Sequence, residues 1–195
     1  FLQLETSRLQ QENRDLREEN QTLREVIDAL IVLQDISTSI TPKTSIIGLL
    51  DRILESALKA INASSGSLVL HDDDTNELVF AVVHGVMREQ LTNYRLPSGT
   101  GIAGWVAKNL EPVIISNAHL DPRFSSAVDE TFHFETRSML CVPIATPKRI
   151  LGVLMALNKN DGKDFTPTDL ALLAVVAQLA STAMERAEKI TAEPA

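Results

Sequence analysis

The 195 residues carry a formal net charge of −8, from 26 acidic and 18 basic side chains, and 44% of them are hydrophobic. That balance gives no electrostatic footprint for nucleic acid and no polybasic patch for a membrane surface, while the length suffices for one cored domain plus an extension. A single cysteine, Cys141, excludes an intrachain disulfide, no Cys/His spacing suits a metal, and both features fit a reducing, cytoplasmic compartment.

The chain opens at Phe1 with neither methionine nor a signal-peptide pattern. It is expected to be a piece of a longer protein whose output domain lies outside it. The densest apolar run, Leu170 to Ala180, is too short to span a bilayer and holds Gln178.

Leucine recurs every seventh residue at Leu2, Leu9, Leu16, Leu23 and Leu30. With leucine at d, the a positions hold Thr6, Asn13, Asn20 and Ile27, and Asn at a with Leu at d favours a parallel two-stranded coil in one register. Glu12 and Glu19 fall at g, and Arg17 and Arg24 at the e positions five residues later, the attractive pairing for parallel chains. The apolar stripe is narrow for a helix laid on its own domain. Residues 1–12 hold one arginine and two glutamates, so the basic helix of a DNA-binding zipper is missing. Residues 1–40 are therefore read as a homodimeric coiled-coil signalling helix.

Thr41-Pro42 restarts the chain with an N-cap and a proline at the first helical position. Ile46, Leu49, Leu50, Ile53, Ala57, Leu58 and Ile61 keep helical spacing, and Ser64-Ser65-Gly66 is expected to break it. Strands Ser67–His71 and Glu77–His84 flank the turn-forming Asp72 to Asn76 and predict a hairpin. A short helix near Val86 to Leu91 and a strand near Tyr94 to Leu96 follow.

The stretch from Leu96 to Lys108 turns a strand into a helix and packs Gly99, Gly101 and Gly104 into the corner. Glycine there permits positive φ and close approach of backbone or ligand. The first helical amides have no partner within the helix, so they can donate to a ligand oxygen at the positive end of the dipole. The Gly-x-Gly-x-x-Gly string alone does not make a dinucleotide fold. Repeated βα units are lacking, and Asp121 lies in a loop-like Asp-Pro rather than at a strand end.

Val113 to Ile115 reads as a short strand. Residues 116–137 are the least regular region, with a short helix around Val128 to Phe132, and a connection this long is expected to be a lid or binding loop. Ser138–Ala145 and Ile150–Lys159 form a second hairpin. Thr166-Pro167-Thr168-Asp169 opens a closing helix that reaches about Lys189, with Asp169 at the capping-box position. The elements sum to an α+β fold, a six-stranded antiparallel sheet with flanking helices.

Several islands in order, Gly101-Ile-Ala-Gly104, Asn117-Ala118, Asp121-Pro-Arg-Phe124, Val128-Asp129, Phe134-Glu-Thr-Arg137 and Leu140-Cys-Val-Pro-Ile144, carry a resemblance. So do Asn158-Lys159, Phe165 and Asp169, with Leu170 where a glutamate would stand. From about Ser64 to Glu188 the chain resembles a GAF domain, the small-molecule sensor module of signalling proteins, particularly the cyclic-nucleotide-binding GAF domains of phosphodiesterases and cyclases. The resemblance implies a GAF/PAS-like sensor domain over residues 41–189, a linker at 190–195, and a pocket between the sheet and the 116–137 lid.

Carried over by position, ligand contacts come from Ser67, Ile102, Ala103, Asp129 and Thr136. His84, Phe132 and Met155 are added where the chain departs from the cyclic-GMP-binding pattern: His84 and Met155 stand for acidic residues and Phe132 for a hydroxyl residue. Ser125 replaces an aromatic. Loss of acceptors for a purine edge weakens discrimination, so cAMP, cGMP, another nucleotide or an unrelated small molecule all stand open. The resemblance also makes Lys159 and Asp169 a structural ion pair outside the pocket, against the alternative of an exposed pair worth under about 1 kcal/mol.

Cys141 reads as an inert buried hydrophobe, and Trp105 as core. His71, His84, His119 and His133 lack metal spacing, and Asp72-Asp-Asp74 is a solvated turn. The expected function is regulatory and not enzymatic: ligand moves the lid, and the flanking helices relay the change along the dimer. Two alternatives are a ligand-free dimerisation scaffold, with Phe132 and Met155 filling the pocket, and a GAF-type methionine sulfoxide reductase. The latter needs a second cysteine.

Overall fold

The computed structural model describes residues 5, 6, 8–17, 20 and 45–192, with side chains through residue 188. Residues 8–17 (α1) are helical, and Leu9 and Leu16 are exposed on them rather than packed on the body. The rest of the predicted coil, its pairing with a second chain, and the Thr41-Pro42 cap lie outside the described residues.

Helix α2 (Ile46–Ala60) buries Leu49, Leu50, Ile53, Leu54, Ala57 and Leu58, the three- and four-residue recurrence of a one-sided helix. Asn62 ends the turn in the left-handed region, at φ 55°, a conformation asparagine tolerates better than most side chains. The chain is extended at once. Strand β1 (Ala63–Asp72) therefore includes Ser64-Ser65-Gly66, which the sequence reading assigned only to the break. Strand β2 (Glu77–His84) returns through an Asx turn in which Asp72 Oδ1 accepts the amides of Asp74 and Thr75 at 3.1 and 3.2 Å.

Helix α3 (Arg88–Leu91), strand β3 (Arg95–Pro97), helix α4 (Gly101–Asn109) and strand β4 (Val113–Ile115) follow. The lid then contains a single 3-10 turn, Ala118–Leu120, and helix α5 (Ala127–Phe132). Strands β5 (Met139–Ala145) and β6 (Ile150–Lys159) form the second hairpin, and helix α6 (Pro167–Ala192) closes the chain. The strand order is β3-β2-β1-β6-β5-β4, antiparallel throughout, so the two hairpins join where β1 pairs with β6. No local signal in the sequence marks that central pairing, which joins strands more than eighty residues apart.

Side chains alternate between two cores. Leu68, Val82, Leu140, Val142, Leu154 and Ala156 face α2 and α6. Val69, Phe80, Val83, Cys141, Val153 and Met155 face α4 and the lid. Helix α6 begins with a reciprocal capping box: Thr166 N–H donates to Asp169 Oδ2 at 2.7 Å, and Asp169 N–H donates to Thr166 Oγ1 at 3.2 Å. Over Pro167–Glu188 this helix has the length and hydropathy to cross a membrane, more than its densest apolar run suggested. Leu173, Val176, Ala177 and Ala180 on it are core residues of the sheet domain.

Candidate functional site: a lidded cavity at the glycine corner

The floor is a cross-strand row. Ser67 stands opposite Val83 on one side and Met155 on the other, and Met155 stands opposite Cys141. Directly opposed residues share a face, so all four point toward α4 and the lid. The next row holds Ser65, Leu157 and Met139. Ser67 is only 3% exposed and Ser65 7%; both line the cavity, and since no unpartnered side-chain oxygen among the described residues is fully buried, their hydroxyls are open to it.

The mouth is the glycine corner. Gly99 and Gly101 take φ of +85° and +66°, so both sit where a side chain is strained. Gly104 meets a different demand: a Cβ on it would lie 2.4 Å from the carbonyl carbon of Gly99. The first bond within α4 is Gly104 N–H to Thr100 O at 3.0 Å. The amides of Gly101, Ile102 and Ala103 precede it and lie at the cavity, and Thr100 caps the helix without using its side chain.

The lid is rooted by Ala118 N–H to Arg137 O, 2.7 Å, and by Asn158 of β6. Asn158 Oδ1 accepts the amides of Arg137 and Ser138 at 2.8 and 3.2 Å, and its Nδ2 donates to Glu135 O at 2.8 Å. Inside the lid, Thr136 donates its N–H to Asp129 Oδ2 at 2.7 Å and its hydroxyl to Asp129 Oδ1 at 2.8 Å. On the outside, the Arg123 guanidinium lies 4.4 Å from the Trp105 ring centroid and chelates Asp121 at 2.9 and 2.7 Å. That bond holds the Asp121 carboxyl below its ordinary value.

Together these parts enclose about 90 Å³ open to the centre of a water molecule. One water needs roughly 10–15 Å³ on that measure, so the space suits a small organic molecule. Its lining is mostly apolar; among the described residues it contains no lysine or arginine, and Asp129 is the one carboxylate. A negative group on a ligand would meet the α4 amides rather than a cation.

Ser67, Ile102, Ala103, Asp129, Thr136 and Met155 all line the cavity. His84 borders it, but its ring is turned elsewhere. His84 pairs with Gly66, whose missing Cβ faces Leu58 of α2, so the His84 side chain stands on the α2 side of the sheet. There Nε2 lies 2.9 Å from Asp51 Oδ1, which also accepts from Arg88 at 3.2 Å. Phe132 does not line the cavity. Its ring packs edge-on against Tyr94, with centroids 5.1 Å apart, and therefore leaves the space open.

Sequence reasoning missed Ser65, Thr100, Phe124, Phe134 and Met139 in the lining, and Asn158 as the lid's root. Ser65 was accessible to it, being two residues from Ser67 on one strand and therefore on the same face.

Lys159 Nζ meets Asp169 Oδ2 at 2.8 Å, with side chains 13% and 11% exposed, outside the cavity between β6 and α6. Cys141 is fully buried and its thiol is pushed up by desolvation. A thiol in that state is not a nucleophile. Trp105, expected in the core, is half-buried beneath Arg123.

Residues 45–184 match the profile of the GAF domain family. The chain belongs to the GAF domain family. Among curated proteins, this GAF domain is 28% identical over 171 residues to the dual 3',5'-cyclic-AMP and -GMP phosphodiesterase 11 of Drosophila melanogaster, covering 80% of this chain and 12% of that protein. It is 36% identical over 100 residues to phosphodiesterase 11A of Takifugu rubripes, covering 50% and 11%. The chain thus spans only about a tenth of these relatives, and their names describe whole enzymes. The GAF domain of a Coxiella burnetii phosphoenolpyruvate-protein phosphotransferase shares the fold, with a TM-score of 0.74 at 21% identity over 86% of this chain and 98% of that one.

Proposed function

We propose that this GAF domain is a regulatory sensor that binds a cyclic nucleotide or similar small ligand under its lid and relays the occupied state to an output domain outside the chain. The observation that carries this reading is the pairing, in one cavity, of amides at the start of α4 that precede its first helical bond with the serine side chains of Ser65 and Ser67, which line the floor. The first suits a phosphate; the second suits a polar edge on an otherwise apolar body. Descent shared with cyclic-nucleotide phosphodiesterases adds support.

The heptads of residues 1–40 make the unit a parallel homodimer in this reading. This reading takes the module to work in a reducing, cytoplasmic compartment, which its free Cys141 suits. Bonds from the lid to Asn158, and from the adjacent Lys159 to Asp169, form a continuous connection between cavity and α6. Coupling of this kind is typically worth about 1–3 kcal/mol.

Thermal unfolding of the chain against a panel of cyclic and linear nucleotides is the test. A binder at a hundred times its Kd adds about 2.7 kcal/mol of stability, with a midpoint that climbs with concentration. A flat response to every nucleotide sinks the reading and favours the scaffold.

A further inference from the structure

We propose that Arg123 is the clasp of the lid: its guanidinium on Trp105 holds residues 122–126 across the mouth of the cavity, and release of that one contact opens the cavity to exchange. The inference gives the sensor read above a gate, and it holds for whatever molecule the cavity takes.

The lid is fastened at both ends and loose between them. Its start is tied by Ala118 N–H to Arg137 O at 2.7 Å and by Asp121 N–H to Ala118 O at 3.1 Å. Its far end is held by the latch between Asp129 and Thr136. Among the described residues, no hydrogen bond joins residues 122–126 to the sheet or to α4; their bonds run to Asp121 and Glu130, within the lid itself. Two neighbouring side chains do the holding instead. Phe124 lines the cavity, while Arg123 lies on the outside, 4.4 Å from the Trp105 ring centroid.

The strap follows one face of α4. Gly101 and Trp105 stand four residues apart on that helix and so share a face. A Cβ on Gly101 would meet Ser125 at 3.6 Å, and Trp105 meets Arg123. Asp121 sets the clasp: its oxygens accept from Nε and one terminal nitrogen of Arg123 at 2.9 and 2.7 Å, which fixes the guanidinium plane for stacking. A segment without backbone bonds to its surroundings, held by side chains alone, opens before the body does. When Arg123 leaves Trp105, Phe124 is drawn out of the lining beside it, and the mouth at Ile102 and Ala103 is uncovered.

Hydrogen exchange of the whole chain, followed amide by amide by NMR, tests the clasp. It uses no ligand, so its outcome is separate from that of the nucleotide panel. The amides of Ile102 and Ala103 precede the first bond within α4, yet both residues are buried, so their exchange reports uncovering of the mouth. Arg123→Ala should speed exchange at both by about fivefold, the factor that a modest cation–π contact holds back. Leu68 to Leu70 on β1 should exchange as before. Trp105→Leu removes the other half of the contact and should act alike. Trp105, the single tryptophan of the chain, should become more open to acrylamide quenching in Arg123→Ala. Unchanged exchange at Ile102 and Ala103 in either variant overturns the inference. Equal acceleration at Leu68 to Leu70 also overturns it, because Arg123 would then serve global stability and not the gate.

Discussion

Gly104 lies so close to Gly99 that any Cβ at residue 104 would stand 2.4 Å from the Gly99 carbonyl carbon. Gly99 itself has open space around it but a φ of +85°. The two glycines are needed for different reasons, and alanine substitution separates them. Gly104→Ala must displace backbone and should cost roughly 3 kcal/mol, the upper end of overpacking. Gly99→Ala meets only left-handed strain, about 1 kcal/mol. Urea unfolding midpoints rank the two, and the reverse order would show that the corner yields easily.

The lid latch makes a second prediction. Asp129→Ala leaves the amide and hydroxyl of Thr136 buried with no partner, which costs roughly 1–3 kcal/mol for each orphaned group. Asp129→Asn keeps one acceptor and one donor, and so should recover most of that loss. Hydrogen exchange should locate the damage in residues 127–137 and spare β1 and β2.

Lys159 and Asp169 are nearly buried, which lifts this pair out of the class of surface bridges. Lys159→Met should destabilise by about 3 kcal/mol, because it strands the carboxylate with only its Thr166 donors. Chemical denaturation measures it. A loss under 0.5 kcal/mol would return the pair to the surface class.

Acid should act through Asp121. The Arg123 bond lowers its folded-state pKa from the ordinary 3.8. A carboxyl depressed in the folded state adds stability that is fully present above the unfolded value and is lost as pH falls through the lower, folded one. Arg123→Leu should therefore melt below the parent at pH 6, and the gap in Tm should shrink steadily once the pH passes below 3.8. A gap independent of pH would assign the loss to the Trp105 contact alone.

Cys141 should resist thiol reagents in the native state and react in urea, because burial raises its thiol pKa and blocks access. Ellman titration with and without denaturant checks this. Rapid native labelling would mean that the floor row opens on its own.

Much of the fold was legible because its signals are local. Alternation marks the hairpins, Thr166 and Asp169 mark the start of α6, and the glycines mark the corner. The β1–β6 pairing was not legible, since strands more than eighty residues apart leave no local trace. Ser64-Ser65-Gly66 misled because a single left-handed residue, Asn62, ends the helix and leaves no loop to build.

In the site, spacing and resemblance placed Ser67, Ile102 and Met155 at the cavity, but neither could say which way a ring turns. His84 points toward α2 because strand parity sends it there, and Phe132 leaves the cavity because Tyr94 offers an edge-to-face partner. Both outcomes depend on neighbours distant in sequence.

The beginning of α2 and the far end of α6 border one groove, through Ile46, Ile47 and Leu50 on one side and Met184, Ala187 and Glu188 on the other. Both attachment points of the fold therefore sit shoulder to shoulder, across the sheet from the lid. A host polypeptide can be cut at a single place and rejoined around such a unit. Ends that meet like this suit a fold to insertion at one point of a longer polypeptide, with both joints on the face away from the cavity.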